Sequence, residues 1–319
     1  MPTAEAWAQS ELMAKVARLY CEQGATQSDI ARRLNVSQAK VSRLLARARA
    51  EGIIRTMVVS PPEVYGEEEE MIREAFGLLD AVVVAEADDG VDPTVDLGRR
   101  AAPYLQATLG GSGPLGVSSW SATLLAAAEA LGRTSDGFPE VVQLIGGHGD
   151  PATQARSMRL LTLLSDATGA VPVGMPAPGT LTSPAGRDAL MSDAAIAQVA
   201  ARWNSLSTAI VGIGSVNPSP MLRDSGNAWD RSDAHALIKA GAVGDICLRF
   251  FDRHGTPVTS SVDDRVLGID LATFKDVPRR IAIAGGADKE SAIRAALIGG
   301  WINVLVTDAA TARLLLAPN

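Results

Sequence analysis

Apolar residues near the start of the chain recur at helical spacing. In "SELMAKVARLYCEQG", Leu12, Val16, Leu19 and Tyr20 fall on one helical face, and Gly24 follows as a left-handed stop. "TQSDIARRL" opens on Thr26, a side-chain cap with Asp29 in the first turn, and its Ile30 and Leu34 face inward. Asn35-Val36 leaves room only for a turn, and asparagine tolerates left-handed backbone. Ser37 then caps a third helix, "QAKVSRLLARARAEG", closed by Gly52, with Val41, Leu44, Leu45 and Ala48 along one side. "IIRTMVV" alternates like a strand, as a short wing would, and Pro61-Pro62 interrupts the chain.

After residue 77 the pattern changes. Strand-like runs ("AVVVAE", "PLGVSS", "VVQLIGG", "TAIVGIG", "RRIAIAGG", "INVLVTD") alternate with helical ones. The latter include "VDLGRRAAPYLQATL", "SATLLAAAEALG", "QARSMRLLTLLSDATG", "AAIAQVAARWNSL", "SDAHALIKAG" and "DKESAIRAALIGG". Continuous apolar strands separated by helices predict a mostly parallel sheet covered on both faces. The fold class is therefore α/β: a small all-α helix-turn-helix domain over residues 1–59, a linker helix over 60–77, and a larger α/β domain over 78–319.

The composition agrees with a soluble globular protein: 47% of the 319 residues are hydrophobic and 20% charged. No signal peptide and no run of membrane-spanning length stands out. Two distant cysteines, Cys21 and Cys247, read as ordinary thiols of a reducing compartment, so a cytoplasmic protein without a membrane partner is expected. The charge is segregated. Residues 1–55 hold nine Lys/Arg against five Asp/Glu, a net of +4, within a chain of net charge −7; the remainder therefore carries −11. A basic island in an acidic chain points to a polyanion bound by one part only.

The third helix fits that role. Opposite its apolar stripe lie Ala39, Arg43 and Ala46, flanked by Lys40 and Arg47. Small residues around an arginine allow a helix to sink into a major groove, and the flanking cations can meet phosphates. Ser37, Gln38 and Ser42, near the helix start, are within reach of base edges. Double-stranded DNA is the expected partner of Ser37, Gln38, Ala39, Lys40, Ser42, Arg43 and Arg47.

In a parallel α/β sheet, ligands bind beyond the carboxyl ends of the strands. There the sequence offers Ser118, Ser119, Ser121 and Thr123 at a helix mouth, Gly146-Gly147 after "VVQLI", and Gly285-Gly286 before Lys289. Glycines permit close backbone approach, N–H groups at a helix start attract an anion, and a lysine adds a point charge. A small phosphorylated ligand suits the set. No Walker A or strand-linked G-x-G-x-x-G pattern is present, and His148, His235 and His254 lack metal-ligand spacing, so no metal, catalytic set or resident cofactor is assigned. Asp245 and Asp270 read either as a carboxylate pair or as polar groups at strand ends. Trp120, within the serine loop, belongs either in a pocket or against the sheet.

Together, "QSDIARRLNVSQAKVSRLLARARAEGII", "GVSSWSATL", "VVQLIGG", "VGIGS", "AGAVGDICLRFFDRHG" and "AGGADKESAIRAALIGGWINVLVTDAATARLLL" resemble the SorC family of sugar-responsive bacterial transcriptional regulators over nearly the whole chain. The resemblance implies an N-terminal DNA-binding domain. It also implies an effector domain similar in fold to sugar-phosphate isomerases and deaminases, normally without their activity. Ser118 to Thr123 match the loop that holds the effector's phosphate or hydroxyls, Asp245 an acidic pocket position, and Lys289 a lysine at the phosphate end. The expected partners are operator DNA, a sugar or polyol phosphate, and further copies of the chain as a homodimer or homotetramer. The alternative is a sugar-phosphate isomerase or deaminase-like enzyme with an appended DNA-binding domain.

Overall fold

The computed structural model describes residues 4–54 and 64–317. The proposed wing from Arg55 onward and the Pro61-Pro62 junction lie outside them. The chain divides into two compact units, Met1–Ser60 and Pro61–Asn319.

The first unit holds α1 (Ala4–Cys21), α2 (Gln27–Leu34) and α3 (Gln38–Ala50). Each boundary has a local cause. The Thr26 hydroxyl accepts from the Asp29 amide and donates to its carboxylate, starting α2. Asn35 closes α2 with left-handed backbone (φ 51°). The Ser37 hydroxyl accepts from the Lys40 amide at 3.2 Å and starts α3. The unit has its own core, in which Met13, Val16 and Leu19 meet Ile30, Val41, Leu44, Leu45 and Ala48. Leu34 is only partly buried at the edge of that core.

The second unit begins with α4 (Gly66–Phe76), β1 (Asp80–Val84), α5 (Pro93–Thr108), β2 (Leu115–Val117), α6 (Ala122–Ala130), β3 (Glu140–Gln143), α7 (Pro151–Thr168) and β4 (Val171–Val173). Next come α8 (Pro184–Met191), α9 (Ala194–Ala201), β5 (Thr208–Val211), β6 (Gly214–Ser215), α10 (Pro220–Asp224), α11 (Arg231–Lys239), β7 (Ala242–Ile246) and β8 (Arg249–Asp252). The unit ends with α12 (Leu271–Lys275), β9 (Arg279–Ile283), α13 (Glu290–Ile298), β10 (Val304–Asp308) and α14 (Ala309–Leu316). Seven strands form one sheet in the order β1-β10-β9-β5-β2-β3-β4, and every pairing in it is parallel.

Strand alternation divides the interior in two. Val141, Ile210, Val304 and Val306 face a core built with α5, α6 and α7. Val142, Ala209, Val211 and Leu305 face the opposite core, with α4, α9, α12, α13 and α14. The segment read as a linker helix is thus a packed part of the large unit. Ile72 of α4 is fully buried, and the Glu69 carboxylate accepts the Val83 amide of edge strand β1 at 2.9 Å.

Four strands went unread in the sequence. β4 is a three-residue edge strand, "VPV", whose proline reads as a break. Of the antiparallel sheet β6-β7-β8, β7 and β8 are mostly buried and show no alternation, and β6 is only two residues long.

The contact between α5 and α6 depends on one glycine. A Cβ built on Gly98 of α5 would lie 2.3 Å from the Thr123 carbonyl oxygen of α6, so only glycine permits this approach. We expect Gly98→Ala to push α6 away and lower stability by roughly 1–3 kcal/mol, the usual range for overpacking. Urea unfolding followed by tryptophan fluorescence checks this, and an unchanged midpoint would refute the packing argument.

Candidate functional site

On α3, Val41, Leu44, Leu45 and Ala48 are buried, whereas Gln38, Ala39, Lys40, Ser42, Arg43 and Arg47 are all exposed, as is the capping residue Ser37. Arg43 folds back to donate to the Ala39 carbonyl at 3.3 Å, and Arg47 pairs with Glu51. Both contacts are exposed and within one helix, so little opposes their exchange for other acceptors. Beside the start of α3 lies a concavity lined by Tyr20, Gly24, Thr26, Gln27, Ser28 and Gln38, which no motif in the sequence announces. Its floor includes the first turn of α2, where backbone N–H groups lack helical partners.

In the large unit, β2 and β5 are neighbours. From β2 the chain winds outward to β3 and β4; from β5 it returns through β9 and β10. A crevice is expected where the winding reverses, and a cavity of about 500 Å³ opens there. It gathers Ser118, Ser119, Ser121 and Thr123 after β2, Asp245 from β7, and Lys289 at the start of α13.

The loop after β2 is ordered by its own hydroxyls. Ser121 caps α6 by accepting from the Leu124 amide at 3.2 Å. Ser119 donates to the Ile145 carbonyl at 2.9 Å, and Ser118 accepts from the Gly212 amide at 3.4 Å. Trp120 satisfies both sequence alternatives. Its indole N–H donates to the Gly146 carbonyl, the residue is 8% exposed, and it lines the cavity.

The four candidate glycines are not among the lining residues. Gly146 allows a tight crossing, since a Cβ there would lie 2.2 Å from the Pro178 carbonyl oxygen, and one on Gly147 would meet the Gln143 side chain. A Cβ on Gly285 would collide with the Asp308 carboxylate. The Gly286 amide, expected to be available to an anion, already donates to Asp308 Oδ2 at 3.1 Å and Thr311 Oγ1 at 2.8 Å. These glycines shape the loops; they do not present N–H groups to the cavity. Asp270 is likewise absent from it and caps α12 through the Thr273 amide, so Asp245 and Asp270 form no catalytic pair.

Other lining residues escaped the sequence reading. Ser215 and Asn217 follow β5 in "GSVNPSP", which reads as turn punctuation. Trp229, its N–H donated to the Val216 carbonyl, adds an apolar wall, and Arg156 reaches the rim from α7. Cys247 and Leu248, the two residues joining β7 to β8, both have left-handed backbone (φ 53° and 61°). Hairpin turns of this geometry favour Asn-Gly, and a bulky residue there costs on the order of 1 kcal/mol or more.

Asp245 dominates the electrostatics. It is only 5% exposed, and its carboxylate accepts a hydrogen bond from the Leu248 amide at 3.0 Å. Burial pushes its carboxyl from 3.8 up to about 7, opposed by that amide and by the positive charge of Lys289. Burial also raises the Cys247 thiol, with the adjacent Asp245 acting in the same direction.

A matching family model, described as "Putative sugar-binding domain", covers residues 61–317, and a "Homeodomain-like domain" model covers residues 14–56. The chain is 33% identical over 306 residues to the deoxyribonucleoside regulator of Bacillus subtilis, spanning 96% of this chain and 97% of the relative. It is 32% identical over 316 residues to the sorbitol operon regulator of Klebsiella pneumoniae, covering 96% and 97% respectively. The crystal structure of that full-length regulator superposes with a TM-score of 0.71 over 96% of this chain and 99% of the other, at 29% identity. An N-terminal helix-turn-helix unit joined to a sugar-binding domain defines a DNA-binding transcriptional regulator controlled by a sugar effector. The chain belongs to the SorC family. Its relatives are named as regulators, and it is a regulator rather than a sugar-phosphate isomerase or deaminase. Among the described residues, no helix is long and apolar enough to cross a membrane.

The raised Asp245 carboxyl makes stability depend on pH in a definite direction. The folded chain holds this proton more tightly than the unfolded one. The stabilisation from protonation is complete below pH 3.8 and is lost as pH rises through about 7. Asp245→Asn, which cannot ionise, should therefore gain on the wild type as pH rises from 4 to 8, by up to about 4 kcal/mol. Urea unfolding at several pH values checks this. A stability difference that stays constant with pH would mean that the carboxyl titrates normally.

Proposed function

We propose that the effector is a phosphorylated sugar or polyol bound in the cavity of the large unit. Its phosphate pairs with Lys289, and its hydroxyls meet Asp245 and the Ser118–Thr123 loop. The observation carrying this reading is that two cations, Lys289 and Arg156, the buried Asp245 carboxylate and a hydroxyl-rich loop, far apart in sequence, line the same cavity. Lys289 has no salt bridge within the described residues, which leaves its charge available to an anion. Trp120 and Trp229 have their N–H groups bonded to backbone carbonyls and offer ring surface to the carbon skeleton of a sugar. The names of two relatives, one for deoxyribonucleosides and one for sorbitol, support a polyol-type ligand. No resident cofactor enters this reading.

On the DNA side, α3 lies in a major groove, with Arg43 on base edges, Lys40 and Arg47 on phosphates, and Ser37, Gln38, Ala39 and Ser42 at the helix start. A single module of this size makes few contacts, so the acting species is a homodimer or homotetramer on a repeated half-site. Effector binding shifts the equilibrium between arrangements of these copies.

Thermal-shift screening against a panel of sugar and polyol phosphates tests the effector, since a ligand selective for the native state raises its melting temperature. Lys289→Ala should remove the shift from the phosphorylated compound and spare DNA binding; a shift retained at the same concentration would make the phosphate assignment wrong. Arg43→Ala should weaken specific operator binding by roughly 1–3 kcal/mol while leaving the fold intact. The check is a gel-shift titration at fixed salt on a selected operator, and unchanged affinity would rule out base reading by Arg43.

A further inference from the structure

Asn35, Cys247 and Leu248 are the non-glycine residues with left-handed backbone among those described. Asparagine suits that conformation; cysteine and leucine do not. Something must therefore hold the β7–β8 turn in place. Both side chains are buried in the core, and the Leu248 amide donates to Asp245 Oδ2 at 3.0 Å. The acceptor is the same carboxylate that lines the cavity.

The next residue, Arg249, is also buried. Its guanidinium donates to the carbonyls of Asp263, Val266, Gly268 and Ile269 and to the Asp263 carboxylate, at 2.8–3.4 Å. One side chain thus grips the whole segment 263–269. That segment is in turn a strap. The Leu267 carbonyl accepts from the Gly146 amide, the Ile269 amide donates to the Leu144 carbonyl, and the Leu267 amide donates to the Gly179 carbonyl. The opposite cavity wall hangs from the same residues, with Ser119 on the Ile145 carbonyl and Trp120 on the Gly146 carbonyl. Both walls of the cavity therefore end on one strap.

We propose that the Cys247–Leu248 turn is a latch: Asp245 holds it in its strained form, and an effector hydroxyl that competes for the carboxylate releases it, reseating residues 263–269 through Arg249. The latch deepens the effector-site reading and rests on it. The turn supplies the two-state element that coupling between a ligand and a distant segment requires.

Amide hydrogen exchange on the full chain tests the latch without added ligand. Asp245→Ala removes the acceptor and should lower protection of the Leu267 and Ile269 amides by about tenfold, while the Ile210 amide in β5 stays unchanged. Asp245→Asn keeps an acceptor and, measured relative to the Ile210 amide, should remain within about twofold of the wild type at both positions. In a Cys247→Gly background the turn loses part of its strain, so Asp245→Ala should there cost much less protection. Should Asp245→Ala fail to fold, Asp245→Val, also without an acceptor, takes its place.

Wild-type exchange at Leu267 and Ile269 in the acceptor-less variant would overturn the latch. So would an equal loss at Ile210, or an undiminished effect in the Cys247→Gly background. The outcome separates from that of the effector reading: if no sugar phosphate shifts the melting temperature but the exchange pattern appears, the latch stands and the ligand assignment falls.

Discussion

The seven-stranded sheet is parallel and covered on both faces, which restricts where the large unit can carry polar chemistry. Its central strands expose neither face to solvent, and their inward residues are aliphatic. Polar side chains can gather only where the strands end. The reversal of winding between β2 and β5 holds the helices apart there, so residues separated by more than 170 positions, from Ser118 to Lys289, reach one cavity. Asp245 reaches the cavity from β7 of the small antiparallel sheet, and its carboxyl owes its raised affinity for a proton mainly to burial.

The N-terminal unit was the more legible part of the sequence. Its helices start and stop on local chemistry: Thr26 and Ser37 as caps, Asn35 in a left-handed turn, and one apolar stripe per helix. The large sheet could be read because each long strand is an apolar run followed by a helix. The hairpin of β7 and β8 was lost because its residues are buried on both sides and its turn, Cys247-Leu248, has neither glycine nor asparagine to announce it. Proline hid β4, whose edge position tolerates it.

The candidate site was legible in its charges and hydroxyls, less so in its glycines. Ser118, Ser119, Ser121, Thr123, Asp245 and Lys289 converge. The glycine pairs do not, and the reason is general. A glycine after a strand can bring backbone close to a ligand or close to another part of the protein, and sequence alone does not tell the two apart. At Gly285-Gly286 the neighbour is the capped start of α14, where Asp308 and Thr311 take the amide that an anion would need. Anion attraction in the cavity therefore falls to Lys289 and Arg156, as side-chain charge rather than a backbone nest.

The segregation of charge acquires a physical meaning from this division. Residues 1–55 carry a net +4 and the remainder −11. The basic unit has its own core and caps, separate from the cores of the large unit. On the function proposed above, a ligand in the large unit acts by changing the arrangement of the basic units, not by folding them. Such control requires the large unit to respond as a mechanical element. Its strained turn lies between a buried carboxylate and an arginine that grips the segment 263–269, an arrangement in which a small displacement at the ligand is converted into a change of packing.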